Sequence, residues 1–487
     1  MFSFDKSAPC GLARHFAACL ALGVLAGCGG GGGGSAPPPP PVNQAPVFTS
    51  ASAFSVPENQ GPVSRLAASD PEGAAVAWSI VGGADAARFV ITPFGDLAFL
   101  PPPNFDLPTD ADLNNVYVVD VGASDGVNRT VQTIAVTVTN SKEGVAVHRI
   151  ATGFVNPVSI SPMDDTALLV AEKNGAIYAF NLQNGTRRLL AQIPSLDGQG
   201  VISVAANNPA GPDLSFFVMY TSRGLLVVEE YLRTSSPSGP YAANPLGPVI
   251  AIPAPDYAGG GWIGLDFQNR LLIATGDAGG TGDPSGSAQD DSSRLGKIIR
   301  TAQAPDSGKP PSFHVFSTIA KGLHQPVGGY ADQDGLLIGD RGQAVADEVD
   351  YLAPSQAGIN FGWPFKEGFR IVRGTPPAAV VDPLTDYSRI GGSAIQGIVG
   401  GAIAGSNINP VASIAGHYIF ADRSGAIFGF PTTTTSRSNA RTATERRTAD
   451  FAPDVGAIDQ PAALVADYLG HLYILDGDGE IFRVDAG

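Results

Sequence analysis

Cysteine is scarce: the 487-residue chain has three, all within the first 28 positions. A body without cysteine cannot hold a thiolate zinc site, an iron–sulfur cluster or a disulfide framework. Charge is also sparse at 15% of residues, and lysine and arginine fall short of the acids, 29 against 45. The net charge of −16 leaves no cationic surplus to neutralise phosphates, so nucleic acid is not an expected partner. Long apolar runs are missing too. The one near the N-terminus, Phe16 to Leu25, is too short to span a bilayer, so no membrane-crossing helix is expected. Glycine and proline, in contrast, are abundant (61 and 40), which favours short strands and many turns over long helices.

The Phe16–Leu25 run follows Lys6 and Arg14 and ends in Leu25-Ala26-Gly27-Cys28. This resembles a bacterial lipobox, with residues 1–27 a signal peptide and Cys28 the point of lipid attachment. The reading implies an outer-membrane lipoprotein of the cell envelope, held to the membrane by its anchor alone. An ordinary signal peptide cleaved nearby is the alternative. Gly29–Gly34 and Pro37–Pro41 follow, a flexible stretch and then an extended one, so residues 28–46 are expected to be a tether.

Residues 47–142 show short β-runs between turn clusters, among them Ala75–Ile80, Val116–Val121 and Val131–Val138. Alternation at this spacing predicts a β-sandwich. Its acids gather in Pro57-Glu58-Asn59, Asp70-Pro71-Glu72-Gly73, Asn104-Phe105-Asp106 and Ala123-Ser124-Asp125-Gly126. In this order the motifs resemble the cadherin repeat in its shortened bacterial form. The resemblance implies Ca²⁺ bound by Glu58, Asp70, Glu72, Asp106 and Asp125. Calcium is a hard ion that takes six to eight oxygens, which loop carboxylates and carbonyls can supply. Cadherin sites lie between tandem repeats, and one repeat is visible here. The site is therefore either incomplete or completed by the following domain, and solvated turn acids remain the alternative.

From Val145 to the end a hairpin recurs: an apolar strand, a turn with glycine, a second apolar strand. The copies start at Leu168, Phe216, Leu271, Gly335, Tyr418 and Leu472. Six units of about 55–60 residues predict an all-β, six-bladed β-propeller over residues 145–487. A blade cannot bury both of its faces alone, whereas neighbours in a ring can.

Several stretches resemble the soluble quinoprotein glucose and sorbosone dehydrogenases, the family that includes aldose sugar dehydrogenases. They are Gly153-Phe154-Val155-Asn156-Pro157, within a Val145–Phe180 segment resembling the opening blade, Gly260-Gly261-Trp262-Ile263-Gly264, Leu295-Gly296-Lys297-Ile298-Ile299-Arg300, Gly339-Asp340-Arg341-Gly342-Gln343 and Asn360-Phe361-Gly362-Trp363-Pro364. The family passes a hydride from a sugar C1 hydroxyl to pyrroloquinoline quinone (PQQ), with a histidine as base and Ca²⁺ on the quinone. Carried over, Gln199, His324, Gln325 and Arg341 become cofactor contacts, and the carbonyls of Gly342 and Gln343 the calcium position. The histidine of the family's His-x-Gly-Gly motif is replaced by Ala258, the Arg-Asn pair before Pro326 by His324-Gln325, and a basic residue of the fifth blade by Ala404. A methyl group accepts no proton. The resemblance thus implies a propeller impaired as a dehydrogenase that binds a carbohydrate or a surface protein. Two alternatives stay open: an active PQQ-dependent aldose dehydrogenase with His324 as substitute base, and a calcium-dependent adhesion module. His148, His314, His417 and His471 are expected in strands or at the surface, Asp277 and Asp340 in turn hydrogen bonds, and Lys297 and Arg300 in structural roles.

Overall fold

The computed structural model describes residues 42–207, 215–234, 242–302, 315–388, 397–406, 410–433 and 440–487. The expectations for the signal peptide, Cys28, most of the tether and His314 lie outside them. No helix among the described residues is long and apolar enough to cross a membrane.

The first domain is a two-sheet sandwich. One sheet runs in the order Ala53–Pro57, Arg129–Thr139, Val116–Ser124, Ala77–Gly82, and the other Pro62–Arg65, Asp96–Phe99, Phe89–Ile91. The alternation read from the sequence is the cause. In Val116–Ser124 the residues Tyr117, Val119 and Val121 point inward and are fully buried. They meet Phe89, Leu97 and Phe99 of the facing sheet, with Phe99 and Tyr117 edge to face at 5.1 Å.

The second domain is a six-bladed propeller. Blade 1 consists of Pro157–Asp164, Ala167–Glu172, Ala176–Asn181 and Arg187–Gln192; blade 2 of Val201–Ala206, Ser215–Ser222, Leu225–Thr234 and Ala242–Pro253. Blade 3 consists of Trp262–Leu265, Leu271–Thr275, Lys297–Thr301 and Phe316–Lys321, with Ile359–Asn360 added at its outer edge. Blade 4 consists of Gln325–Asp332, Gly335–Arg341, Ala346–Leu352 and Thr385–Ser388; blade 5 of Ile398–Ile403, His417–Asp422, Ile427–Pro431 and Glu445–Arg446. The recurring hairpins of the sequence are the second and third strands of each blade. The second strands are the most buried elements, because blades cover them on both faces: every residue of Ala167–Glu172, Leu271–Thr275 and Leu472–Asp476 is buried.

One boundary differs from the sequence reading. Val145–Ala151 does not open the first blade. It pairs antiparallel with Ile481–Ala486 and forms the outer strand of blade 6, whose inner strands are Pro461–Ala466 and Leu472–Asp476. The first blade begins at Pro157. Sharing a blade between the two ends of the domain closes the ring, and the innermost strands of the blades touch in an unbroken cycle. The channel is tight where blades 4 and 5 meet: a Cβ on Gly328 would lie 2.4 Å from the Val399 carbonyl oxygen, and one on Gly400 2.5 Å from Gly328 Cα.

Candidate functional site

One mouth of the channel opens into a cavity of about 530 Å³ where the first strands begin and the second strands end. The blades repeat one local device there. In blades 1, 4, 5 and 6 a buried acid stands at the end of the second strand or one residue before it: Glu172, Asp340, Asp422 and Asp476. Each carboxylate accepts N–H groups from just before or at the start of the first strand of its own blade. Glu172 takes Val155 N at 2.7 Å, Asp340 takes His324 N and Gln325 N at 2.9 and 2.6 Å, Asp422 takes Gly397 N at 2.8 Å, and Asp476 takes Asp459 N and Gln460 N at 3.1 Å. Burial pushes Asp340 up to about 7 and Asp476 up to about 6, and raises Asp277 as well.

The residue after the acid faces the cavity. In blades 1, 4 and 5 it is basic (Lys173, Arg341 and Arg423), and in blade 6 it is Gly477. Among the described residues neither Lys173 nor Arg423 has an ion-pair partner. Asn156, Gln199, Gln325 and Gln460 complete the polar lining. Gln325 and Arg341 are held in a chain across three blades: Gln325 Nε2 donates to Ala258 O (2.8 Å), Arg341 Nη1 to Gln325 Oε1 (3.3 Å), and Arg341 Nη2 to Ile398 O (2.9 Å). Gly260 and Gly261, both at positive φ, form part of the wall; a Cβ on Gly261 would meet Met219 at 2.7 Å.

Of the residues expected as cofactor contacts, Gln199, Gln325 and Arg341 do line this cavity, and His324 does not. Its imidazole lies 4.3 Å from the Trp363 ring, and Nδ1 is 2.5 Å from Arg341 O. The side chain is thus committed to the wall behind Gln325, where Trp363 in turn donates Nε1–H to Asp277 Oδ2 (2.7 Å). Ala258 is exposed and contributes a methyl group and a backbone carbonyl. Gly342 and Gln343 form the loop beyond Arg341, pinned by Asp347 Oδ1 on Gly342 N (2.8 Å) and Glu367 Oε1 on Gln343 N (2.6 Å). Behind that loop, Asp340, Glu348 and Asp350 each bring one oxygen within 4.8 Å of the others, a hard-cation donor set that sequence reading missed. Ala404, expected where the family carries a base in the fifth blade, is buried away from the cavity, and the cation of blade 5 is Arg423. Lys297 is structural, as expected: it is fully buried, its ammonium donates to the carbonyls of Ser287, Ala288 and Leu295, and burial lowers it to about 8. His148 and His417 lie in strands, and His471 precedes one, paired with Asp467 at 2.9 Å.

The five acids expected to bind calcium in the sandwich do not converge. Glu58 and Asp106 come together. Asp70 caps its own turn through Glu72 N and Ala74 N, leaving Glu72 exposed. Asp125 caps Val127 N and Asn128 N just before Arg129–Thr139, at the opposite end of that strand from Thr139, whose carbonyl accepts Glu58 N. A one-letter pattern does not say which end of a sandwich each turn occupies.

A closed ring of six sheets with a cationic mouth is the architecture of a ligand-binding or catalytic propeller. Residues 154–389 match the Glucose / Sorbosone dehydrogenase family model, so most of this propeller is similar to that family. The chain is similar to the PQQ-bound aldose sugar dehydrogenase of Streptomyces coelicolor, at 20% identity and TM-score 0.52, covering 70% of this chain and 98% of that one. It is likewise similar to the apo-form of the soluble aldose sugar dehydrogenase of Escherichia coli, at 17% identity and TM-score 0.54, covering 70% and 100%. At these identities the likeness concerns the fold. No curated protein matches.

Proposed function

We propose that the chain is a cell-envelope binding protein whose propeller takes a carboxylate-bearing small molecule at its channel mouth and does not turn it over as a dehydrogenase. The observation that carries this reading is the convergence of Lys173, Arg341 and Arg423 on one cavity, with Ala258, at the position matching the family's base, next to it through its carbonyl on the lining residue Gln325. The acid before each cation is buried and bonded to backbone N–H groups, and no acid is among the described residues that line the cavity, so the three cations select anions, and guanidinium groups suit carboxylates through paired hydrogen bonds. PQQ carries three carboxylates and fits this donor set; an acidic sugar has the same chemistry. Lys173, Arg341 and Arg423 would hold the carboxylates, and Gln199 and Gln325 would reach carbonyl or hydroxyl groups. When bound, the quinone supplies a two-electron acceptor. Among the described residues, none that lines the mouth is a histidine able to take a hydroxyl proton. The lipid anchor at Cys28, an outer-membrane location and a calcium-binding role for the sandwich complete the reading.

The test is binding set against turnover. Equilibrium titration with PQQ in Ca²⁺, and separately with a hexuronic acid, is expected to show saturable binding of at least one. Aldose-dependent dye reduction by the PQQ-loaded protein is expected to stay at background. Turnover that is abolished by His324→Ala would replace this reading with that of an active dehydrogenase.

A further inference from the structure

The sandwich and blade 5 meet over a junction with an unusual charge balance. Arg446 N donates to Asp106 O (3.1 Å), Asn104 Nδ2 to Glu445 (2.9 Å), Asn140 Nδ2 to Asp450 Oδ1 (2.5 Å), and Lys142 Nζ to Ala452 O (2.7 Å). Arg447 is buried at the centre. Its guanidinium reaches Glu143 at 2.6 Å, Asp450 at 2.7 Å and Glu445 at 3.0 Å. With Glu58 and Asp106, five carboxylates therefore stand around one buried cation, and the exposed Lys142 ammonium is spent on a carbonyl.

The balance fails most clearly at Asp106, which is only 5% exposed. Neither of its carboxylate oxygens has a hydrogen-bond partner, whereas Asp450 has Asn140 on Oδ1 and the Arg447 guanidinium on Oδ2. The contact from Arg447 Nε to Asp106 is 3.9 Å, beyond hydrogen-bond length. One oxygen each from Glu58, Asp106 and Asp450 lies within 4.8 Å of the other two. Acceptor-only groups buried at this spacing repel one another unless a cation or a proton stands between them.

We propose that the junction binds one hard divalent cation, Ca²⁺, between Glu58 and Asp106 of the sandwich and Asp450 of the propeller, so that blade 5 supplies the ligand a single sandwich lacks. This rests on the calcium-binding reading of the sandwich and goes beyond it by making the ion a bond between domains. Ca²⁺ is favoured over Mg²⁺ because the three carboxylates come from three separate segments. They suit a large, irregular shell better than a rigid octahedron.

The experiment uses the full chain, stripped with EDTA and titrated with CaCl₂ while calorimetry counts ions and thermal unfolding is followed. Ca²⁺ is expected to raise the unfolding temperature by several degrees, since it binds the folded state alone. Asp106→Asn and Asp450→Asn are each expected to remove one bound ion per chain and most of the shift; Asp125→Asn is expected to remove neither. Because Asp106→Asn deletes an unpartnered charge, its EDTA-treated form should melt no lower than the EDTA-treated parent. A lower melting point would refute the premise that Asp106 is unsatisfied without an ion. A shift undiminished in Asp450→Asn would overturn the bridge while leaving calcium in the sandwich. No bound ion in the unsubstituted chain would overturn both.

Discussion

Ala258 and Arg423 decide what the channel mouth can do, and each can be changed alone. Ala258 is exposed, so a larger side chain is accommodated without repacking. Ala258→His puts an imidazole where the family places its base. If base loss is what silences the site, the PQQ-loaded variant is expected to gain aldose-dependent dye reduction. General-base catalysis contributes about 10²–10⁴ in rate, so a gain of that order is the scale to look for. Arg423 tests binding instead. It is exposed, it has no ion-pair partner among the described residues, and it faces the cavity. Arg423→Ala should therefore leave the unfolding temperature unchanged while weakening a carboxylate ligand by roughly tenfold or more, the worth of one charge-assisted hydrogen bond. Titration of parent and variant side by side reads this directly.

At the scale of the blade, the acid at or next to the end of a second strand and the residue after it work as a pair. The acid fixes the lead-in of its own blade, and the next side chain is thereby aimed at the mouth. Asp422 shows the dependence: it is fully buried and accepts Gly397 N (2.8 Å), Ser424 N (2.8 Å) and Tyr387 OH (3.0 Å). Asp422→Ala leaves those donors without a partner, at a cost of about 3 kcal/mol or more in denaturant unfolding. Because Arg423 loses its support, ligand affinity should fall as well, unlike Arg423→Ala, which should touch affinity alone. The hairpins that carry these pairs were legible in the sequence because each joins two apolar runs through a glycine turn. The pairs themselves were not: Glu172-Lys173 or Asp422-Arg423 in isolation looks like an ordinary solvated turn. Its meaning depends on the end of the blade it occupies, and matching the second strands to one another is the signal that would have found Lys173 and Arg423. Val145–Ala151 was misassigned for a related reason. Its partner, Ile481–Ala486, lies at the far end of the chain, and no local periodicity records a pairing across that distance.

For the whole molecule, buried acids within a ring of sheets tie stability to pH in a definite direction. Asp476 rises from the ordinary 3.8 to about 6 and Asp340 to about 7, both through burial. Between the unfolded and folded values the native chain holds protons that the unfolded chain has released. Stability therefore falls as pH rises through that interval, the reverse of a salt-bridged carboxylate. In EDTA, the free energy of unfolding is expected to decline from about pH 4 to pH 7 through these groups. Asp476→Asn isolates one contribution. The amide oxygen can still accept Asp459 N and Gln460 N, but it carries no charge, so the variant should gain on the parent between pH 4 and pH 6 and keep that gain, without further change, above pH 6. Denaturant titrations at several pH values measure this. If parent and variant fell with equal slope between pH 4 and pH 6, Asp476 would be ionised at no cost in the native ring, and burial of these acids would not be what sets the pH dependence of the fold.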